Sequence, residues 1–391
     1  MAALFFIAAG EWQLQLGPYV LGAGLVGLFV CSRLLSSVLA PVDGGVRPGM
    51  RAIGLWLPIA ACTLVAMVMG RTEIAMGVVF GTSVGAMTTV VGFTALAEPI
   101  GGGPGRWRRL WPFPLAAALI VFVAGFKGHF GWRDAIALAI EGAVVLALWR
   151  DRGGKDEGAE ATERRSDGAT EGQESDEGAV ERATWEGGGA QSESHVLEYR
   201  TPGTAGEDVG RRVVLSVEVL VAVAVAVLAA WAVSVGVVKV SEGVRNFSSA
   251  GIAATVVGLA LVMPMTYGAW RRASGGKAWD AMTTQVGIVL LNLCVLLPIC
   301  IALPYLASVN GPVGDWVSTF AGDGLRYGPG LVKPLIFPVA FWRVDNVLLI
   351  IVAVLLLPVA AGKWKLGKEE GMVLVAGYFF YLTAILWAAR G

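Results

Sequence analysis

Long apolar runs alternate with short polar segments along most of this chain. A helix needs about 20 mostly apolar residues to cross the hydrocarbon core of a bilayer. The pattern predicts spanning helices at residues 17–40, 52–69, 74–97, 112–126 and 134–149, and then at 213–236, 251–270, 280–303, 346–361 and 371–389. The sequence therefore predicts an all-α polytopic membrane protein with about ten transmembrane helices, five on each side of a central break.

Three segments fall outside the predicted spans. Residues 1–16 have no basic start and no small-residue cleavage pattern, so we expect a short lead-in and not a signal peptide. Residues 150–212 are rich in Glu, Asp, Gly, Ser and Thr. Such a composition cannot bury enough apolar surface to order itself, which predicts a disordered acidic loop, either a solvated linker or a regulatory element. Residues 304–345 are rich in Pro and Gly, and their stretch LVKPLIFPVAFW fits a re-entrant or interfacial piece.

Basic residues are concentrated in the loops on one predicted side of the membrane. That side receives Arg47, Arg51, Arg106, Arg108, Arg109, Arg271, Arg272, Lys277, Lys363, Lys365 and Lys368. The short loops of the other side hold Arg71, Lys127, Arg133, Lys239 and Arg245. Cytoplasmic loops carry the excess of Lys and Arg, so we expect loop 150–212 to be cytosolic and both termini to be outer or lumenal. The plasma membrane and an endomembrane such as that of a vacuole fit equally well.

Composition supports a membrane protein and argues against several other classes. Of the residues, 55% are hydrophobic and only 15% are charged, which is typical of polytopic membrane proteins. Membrane lipid is therefore the expected surrounding, and a net charge of zero gives no indication of a nucleic-acid partner. The four cysteines lie in apolar stretches without C-x-x-C spacing, and His129 and His195 are far apart, so no metal site is predicted from them. No hydrolase triad, H-E-x-x-H or Walker-type loop is visible, and we expect neither an enzyme nor a cofactor.

The two halves of the chain share an internal repeat. Ala75-Met76 recurs as Ala281-Met282 at an offset of 206 residues (281 − 75), and the same offset relates Gly81 to Gly287 and Pro58 to Pro264. The last spans also correspond loosely through the pairs Glu141–Gly142 and Glu370–Gly371. Helices rich in Leu, Val and Gly resemble one another by chance, but a shared offset at separate anchors favours a real repeat. Repeats of five helices, here 17–149 and 213–391, must insert with opposite orientation, as in many secondary transporters.

One helix of each half resembles a motif of the calcium/cation antiporters, the sodium/calcium exchanger superfamily. That motif is A-L-G-N-x-x-G-S-N-x-x-N, and IAMGVVFGTSVGAMTTVVG (74–92) follows its frame without gaps. The stretch IAATVVGLALVMPM (252–265) is similar to the family's preceding G-T-S-x-P-E helix. The positions in frame are Ala75, Met76, Gly77, Gly81, Thr82 and Gly92 in the first half and Ile252, Thr255, Pro264, Ala281, Gly287 and Asn292 in the second. We regard Gly77, Gly81 and Gly287 as the motif glycines.

The resemblance covers most of the chain outside loop 150–212 and the gap 304–345. It implies two inverted five-helix repeats joined by a cytosolic loop, and exchange of calcium for sodium, protons or potassium. It also implies ligand positions, at which this chain has Ile59 and Met265 in place of paired glutamates. At the asparagine positions it has Val78, Ser83 and Ala86, and then Thr284, Val289 and Asn292. Because calcium prefers six to eight oxygen ligands including carboxylates, calcium transport through this ligand set is doubtful.

The polar residues that remain near these positions are neutral. The candidate ion path consists of Thr82, Ser83, Thr255, Thr283, Thr284, Gln285 and Asn292. Hydroxyl and amide oxygens suit a monovalent ion or a small neutral solute better than calcium. The alternative is packing, since small residues and back-bonded hydroxyls are common where membrane helices touch. The amides of Gln285 and Asn292 are harder to explain by packing alone, because an amide in hydrocarbon must find partners.

Three functional hypotheses follow. The first is a cation antiporter of the sodium/calcium-exchanger type that works by alternating access. The second is a non-transporting relative that regulates or scaffolds another membrane protein, and the third is a transporter of a monovalent ion or a small neutral solute. Convergence of Thr82, Ser83, Thr284 and Asn292 would favour transport, whereas four separate helix contacts would exclude the site.

Overall fold

Helices dominate the part of the chain that the computed structural model describes, which is residues 13–38, 48–101, 111–126, 129–150, 205–243, 247–307, 335–336 and 339–389. Five of the described helices precede the central loop: α1 (Gln13–Val38), α2 (Pro48–Val68), α3 (Thr72–Gly85, the π-turn Ala86–Val90, and Val91–Ala97), α4 (Pro112–Gly125) and α5 (Trp132–Arg150). Five more of the described helices follow it: α6 (Ala205–Gly243), α7 (Ser249–Ile252, the π-turn Ala253–Val257, and Gly258–Ala273), α8 (Ala278–Leu291, the π-turn Asn292–Leu296, and Leu297–Ala307), α9 (Val339–Ala360) and α10 (Lys368–Ala388).

Each predicted span coincides with one of these helices. Seven of the described helices are long and apolar enough to cross a membrane, and two shorter apolar helices lie at Pro112–Gly125 and Val344–Ala360. The predicted fold class, an all-α polytopic membrane protein, is confirmed. The protein is an integral membrane protein, whereas the cytosolic side of loop 150–212 remains a prediction.

The non-helical segments were predicted less well. Helix α6 begins at Ala205, inside the predicted loop 150–212, and residues 151–204 lie outside the described part of the chain. Helix α9 begins at Val339, so the end of the suggested re-entrant stretch LVKPLIFPVAFW is part of a regular helix. The lead-in 1–16 is described only from Gln13, where α1 starts.

The core is organised around α3. The spanning window of α3 is completely buried inside the protein, whereas most of the α10 window is exposed. Helices α2, α7, α8, α9 and α10 all pack against α3. The helices up to residue 145 and from residue 216 onward form one compact unit, and residues 146–215 form a second one. The structure describes the second unit only at the ends of α5 and α6.

The backbone repeats with the same period as the sequence. Gly70 and Gly276 both adopt the left-handed conformation, with φ of 71° and 75°, which glycine adopts without steric cost. Each is followed by a 14-residue helical segment, and each segment continues into a π-turn of five residues. All these pairs are separated by the offset of 206 residues (276 − 70), so the turn, the helix and the π-turn recur in register.

Four short strands show that the two repeats are inverted. β1 (Ile100–Gly101) pairs antiparallel with β4 (Lys365–Leu366), and β2 (His129–Phe130) pairs antiparallel with β3 (Leu335–Ile336). β1 follows α3 and β3 follows α8, while β2 and β4 precede α5 and α10. In each repeat, the strand after the central helix therefore pairs with the strand before the last helix of the other repeat. The first part of α8 contacts the last part of α3 and the reverse also holds, so these two helices are antiparallel.

The match between the two Glu-Gly pairs was wrong in register. Glu370 accepts a hydrogen bond from the Gly367 amide (2.9 Å) at the start of α10, and Asp134 accepts the same bond from the Gly131 amide (2.8 Å) at the start of α5. Glu370 therefore corresponds to Asp134. Glu141 lies two turns further inside α5, because the helix-capping carboxylate and not the Glu-Gly pair is the repeated feature.

Two of the motif glycines allow α3 to approach α7 closely. A Cβ added to Gly77 would lie 2.6 Å from the Ala250 carbonyl oxygen, and one added to Gly81 would collide with the Ala254 carbonyl oxygen. Small residues spaced by four let membrane helices bring their backbones together. Packing thus explains Gly77 and Gly81. Gly287 is buried within α8.

We expect Gly81→Ala to destabilise the protein by about 1–3 kcal/mol, because the added methyl group must push α3 away from α7. The measurement is thermal unfolding of the purified protein in detergent. Gly377→Ala is the matched control, since a Cβ on Gly377 would meet no atom within 4 Å. Equal melting temperatures for the two variants would contradict the packing assignment.

Candidate functional site

Three of the predicted path residues meet between α3 and α8. The Asn292 side-chain nitrogen Nδ2 donates to Thr82 Oγ1 (3.1 Å) and to Ser83 Oγ (3.1 Å). All three residues are 0% exposed. Since α3 and α8 belong to opposite repeats, one amide joins the two halves of the protein at their interface.

The direction of these bonds is determined by the hydroxyl groups. Thr82 Oγ1 donates its hydrogen to the Val78 carbonyl oxygen (2.7 Å), and Ser83 Oγ donates to the Val79 carbonyl oxygen (2.7 Å). Each hydroxyl has one hydrogen, so both can only accept from a further partner. The amide must therefore present its NH₂ group to them, and the Asn292 carbonyl oxygen Oδ1 must face away.

Asn292 Oδ1 is the unsatisfied atom of this arrangement. It is buried and has no hydrogen-bond partner among the described residues. A buried acceptor without a partner costs about 1–3 kcal/mol, so it indicates a position where a ligand or water supplies the missing contact. Asn292 also begins the π-turn of α8, and π-turns occur frequently at functional sites.

A second unsatisfied amide lies on the same face of α8. Gln285 is 0% exposed, and neither its Oε1 nor its Nε2 has a hydrogen-bond partner in the described structure. It precedes Asn292 by two helical turns, about 10 Å along the axis. Because α3 and α8 are antiparallel, this register places Gln285 opposite the π-turn of α3, which contains Thr89. Thr89 Oγ1 is also buried without a partner, and Thr89 was not among the predicted residues.

We call Thr82, Ser83, Thr89, Gln285 and Asn292 the polar seam. The other predicted hydroxyls are bonded within their own helices. Thr255 donates to the Gly251 carbonyl (2.7 Å), and Thr283 and Thr284 both donate to the Asp280 carbonyl (3.0 and 2.7 Å). The structure therefore does not bring Thr255, Thr283 and Thr284 together with Asn292, and back-bonding to the helix accounts for them.

The positions expected from the exchanger motifs to hold acidic or amide ligands are apolar and buried. They are Ile59, Val78, Ala86, Met265 and Val289. Among the described residues no group of three or more His, Cys, Asp or Glu side chains could hold a metal ion. The polar seam thus offers oxygen atoms without a negative charge.

Two buried acids were not among the predicted site residues. They are Asp345 in α9, which is followed by the buried amide Asn346, and Glu141 in α5. The predicted span began at residue 346, which left Asp345 in the neighbouring loop, and Glu141 was considered only as half of a Glu-Gly pair. The sequence does contain a signal for both, since each is an acidic residue inside an apolar helix. Acidic residues are rare in membrane spans, and one found there is a candidate functional residue.

We expect Asn292→Ala to destabilise the protein by about 1–3 kcal/mol, because it removes both hydrogen bonds of the Asn292 amide to α3. A double-mutant cycle with Ser83→Ala should give a coupling energy of about 0.5–1.5 kcal/mol. Chemical unfolding in detergent measures both values. Thr284→Val is the control, and a coupling energy near zero between Asn292 and Ser83 would contradict the assigned contact.

The comparisons with known proteins concern the fold. No family model and no curated protein matches the sequence. Solved structures that are similar along nearly the whole chain include the following three. The sodium-calcium exchanger NCX_Mj has a TM-score of 0.55 at 15% identity, covering 95% of this chain and 99% of that one. The H⁺/Ca²⁺ exchanger CAX has a TM-score of 0.61 at 14% identity, covering 96% and 85%. Native YfkE has a TM-score of 0.58 at 14% identity, covering 98% and 99%. The chain therefore has the fold of these exchanger structures.

Proposed function

We propose that this protein transports a cation across a membrane by alternating access, and that the polar seam is its binding site. The observation that carries the proposal is the Asn292 amide, which is held by Thr82 and Ser83 while its Oδ1 stays buried and unpartnered. A cation supplies the interaction that this oxygen lacks. The fold supports the proposal, because the similar structures include a sodium-calcium and a proton-calcium exchanger. The process is binding and release, without a chemical step.

The charge of the polar seam favours a monovalent cation over calcium. Its oxygens come from two amides and three hydroxyls, and all of them are neutral. A divalent ion at this depth would keep most of its charge uncompensated in a region of low dielectric constant. Calcium sites supply carboxylates for this reason. Sodium and potassium are therefore the cations to test first.

The position of the polar seam suits alternating access. It lies between helices of two inverted repeats, so a rocking motion of one repeat against the other exposes it to each side in turn. The three π-turns lie in α3, α7 and α8, and the π-turns of α3 and α8 lie along this interface. A π-turn interrupts the regular hydrogen bonding of a helix. The helix can therefore bend at this point during such a motion.

We expect the purified protein in lipid vesicles to move sodium or potassium faster than empty vesicles do. Asn292→Leu should reduce this flux about tenfold or more, as one ligand oxygen worth about 1.4 kcal/mol is lost. Ion-selective dyes inside the vesicles measure the rates. Thr284→Val is the control, because its hydroxyl is bonded to its own helix.

Two outcomes would contradict the proposal. If wild-type vesicles move none of sodium, potassium or calcium, the non-transporting alternative is supported. If Asn292→Leu transports as well as the wild type, the path does not pass through the polar seam.

We expect Asn292→Asp to shift the preference toward divalent cations. The side chain keeps its size but adds the carboxylate that calcium requires. The ratio of calcium to sodium uptake in vesicles should rise at least about tenfold, which corresponds to 1.4 kcal/mol. An unchanged ratio would show that the charge of the polar seam does not set the selectivity.

A further inference from the structure

A second group of polar side chains lies inside the bundle, away from the predicted path. Asp345 is 1% exposed and Asn346 is 0% exposed, and both lie on α9 near its start. Tyr378 and Tyr381 of α10 are also buried, and their rings stack with centroids 5.7 Å apart. We call these four residues the α9–α10 cluster.

Three members of this cluster, Asp345, Tyr378 and Tyr381, carry buried oxygen atoms that lack a hydrogen-bond partner among the described residues. Asp345 and Tyr381 lie next to each other and interact electrostatically. Nevertheless Asp345 Oδ1 and the hydroxyls of Tyr381 and Tyr378 are buried and complete no hydrogen bond of ordinary geometry with the described residues. Buried polar atoms of this kind are expected to have partners. These three oxygen atoms are therefore positions at which a proton or a small ligand can supply a missing contact.

The cluster reaches the helix that carries the polar seam. Helix α9 packs against α3 and its π-turn, and so does α10. A Cβ on Gly85 would lie 3.3 Å from the Tyr378 hydroxyl. Gly85 is two residues beyond Ser83 on α3, so the phenol lies beside the segment that binds Asn292. A line of polar groups thus runs from Asp345 through Tyr381 and Tyr378 to α3.

No described side chain on the helices packed against α9 supplies a compensating positive charge to Asp345, and the side chain of Arg343, two residues earlier on α9, lies outside the described part of the structure. The helices packed on α9 are α3, α4 and α10. α4 contains no titratable residue, α3 contributes only Glu73 in its first turn, and α10 contributes the two tyrosines and Lys368, Glu369 and Glu370 at its start. No described Lys, Arg or His side chain forms an ion pair with Asp345. A buried carboxylate without a partner charge is neutralised most readily by a proton.

We propose that Asp345 is a proton-binding site and that its proton is exchanged for the cation in the polar seam. The coupling part of this inference rests on the proposed function. A proton on Asp345 keeps the cluster neutral. Its release leaves a negative charge beside α3, which attracts a cation to the neutral oxygens of the polar seam. By linkage, a bound cation favours release of the proton by the same factor. The acid that balances the transported charge is thus placed on α9 and not beside the polar seam.

Vesicle transport tests the coupling. Wild-type protein in vesicles with an internal pH dye should move protons against an imposed sodium or potassium gradient. D345N, which keeps the shape of the side chain but cannot release a proton, should lose this proton movement while downhill cation flux persists. E369Q, which neutralises an exposed acid on α10, should behave as the wild type. Proton movement retained in D345N would overturn the coupling.

Infrared spectroscopy in detergent tests the proton site without any transport. The wild type and E369Q should show a protonated-carboxyl band that D345N lacks, and E141Q identifies any band from the other buried acid. Identical spectra for the wild type and D345N would overturn the proton site even if cations are transported. Absence of cation flux in the wild type with the Asp345 band present would contradict the proposed function and leave the proton site standing.

Discussion

The backbone contact between α3 and α7 at Gly77 and Gly81 determines how the rest of the protein is arranged. The absence of side chains there lets α3 lie at the centre of the bundle with its whole spanning window buried. A helix in that position has no lipid-facing side, so each of its hydroxyls must find a protein partner or a ligand. The polar residues of α3 are therefore buried residues whose hydrogen bonds must be accounted for.

Satisfaction of those hydroxyls explains the geometry of the polar seam. Thr82 and Ser83 use their single hydrogens on carbonyl groups of their own helix, and this leaves lone pairs that only a donor can occupy. The NH₂ group of Asn292 is that donor. Its Oδ1 then faces away from these hydroxyls and is a buried acceptor without a partner among the described residues. Packing thus accounts for the hydroxyl hydrogens of Thr82 and Ser83, whereas it does not account for the amide oxygen of Asn292.

Much of this architecture could be predicted from the sequence, because membrane spans and an internal repeat both leave strong patterns. Each of the ten apolar runs coincides with a helix in the described part of the chain, and the offset of 206 residues recurs in the turns at Gly70 and Gly276. The site could be predicted only in part. Asn292, Thr82 and Ser83 were identified from a motif frame, but that frame could not distinguish Thr284, which bonds to its own helix, from residues that face the partner helix. Asp345 was missed because the apolar pattern began the span at residue 346, seven residues after the start of α9 at Val339 (346 − 339).

The two repeats carry different chemistry at matching positions. Gly142 and Tyr378 each lie eight residues beyond the capping carboxylates Asp134 and Glu370. A Cβ on Gly142 would approach the Cys294 carbonyl in the π-turn of α8 to 2.5 Å, while Tyr378 lies against Gly85, directly before the π-turn of α3. The last helix of each repeat therefore presses on the irregular segment of the other repeat's central helix. In the first repeat, the residue next to the contacting Gly142 is the buried acid Glu141. In the second repeat, the contacting residue is Tyr378, whose ring stacks on Tyr381 beside Asp345. The inverted repeats are thus equivalent in backbone but not in the side chains that meet the π-turns of α3 and α8.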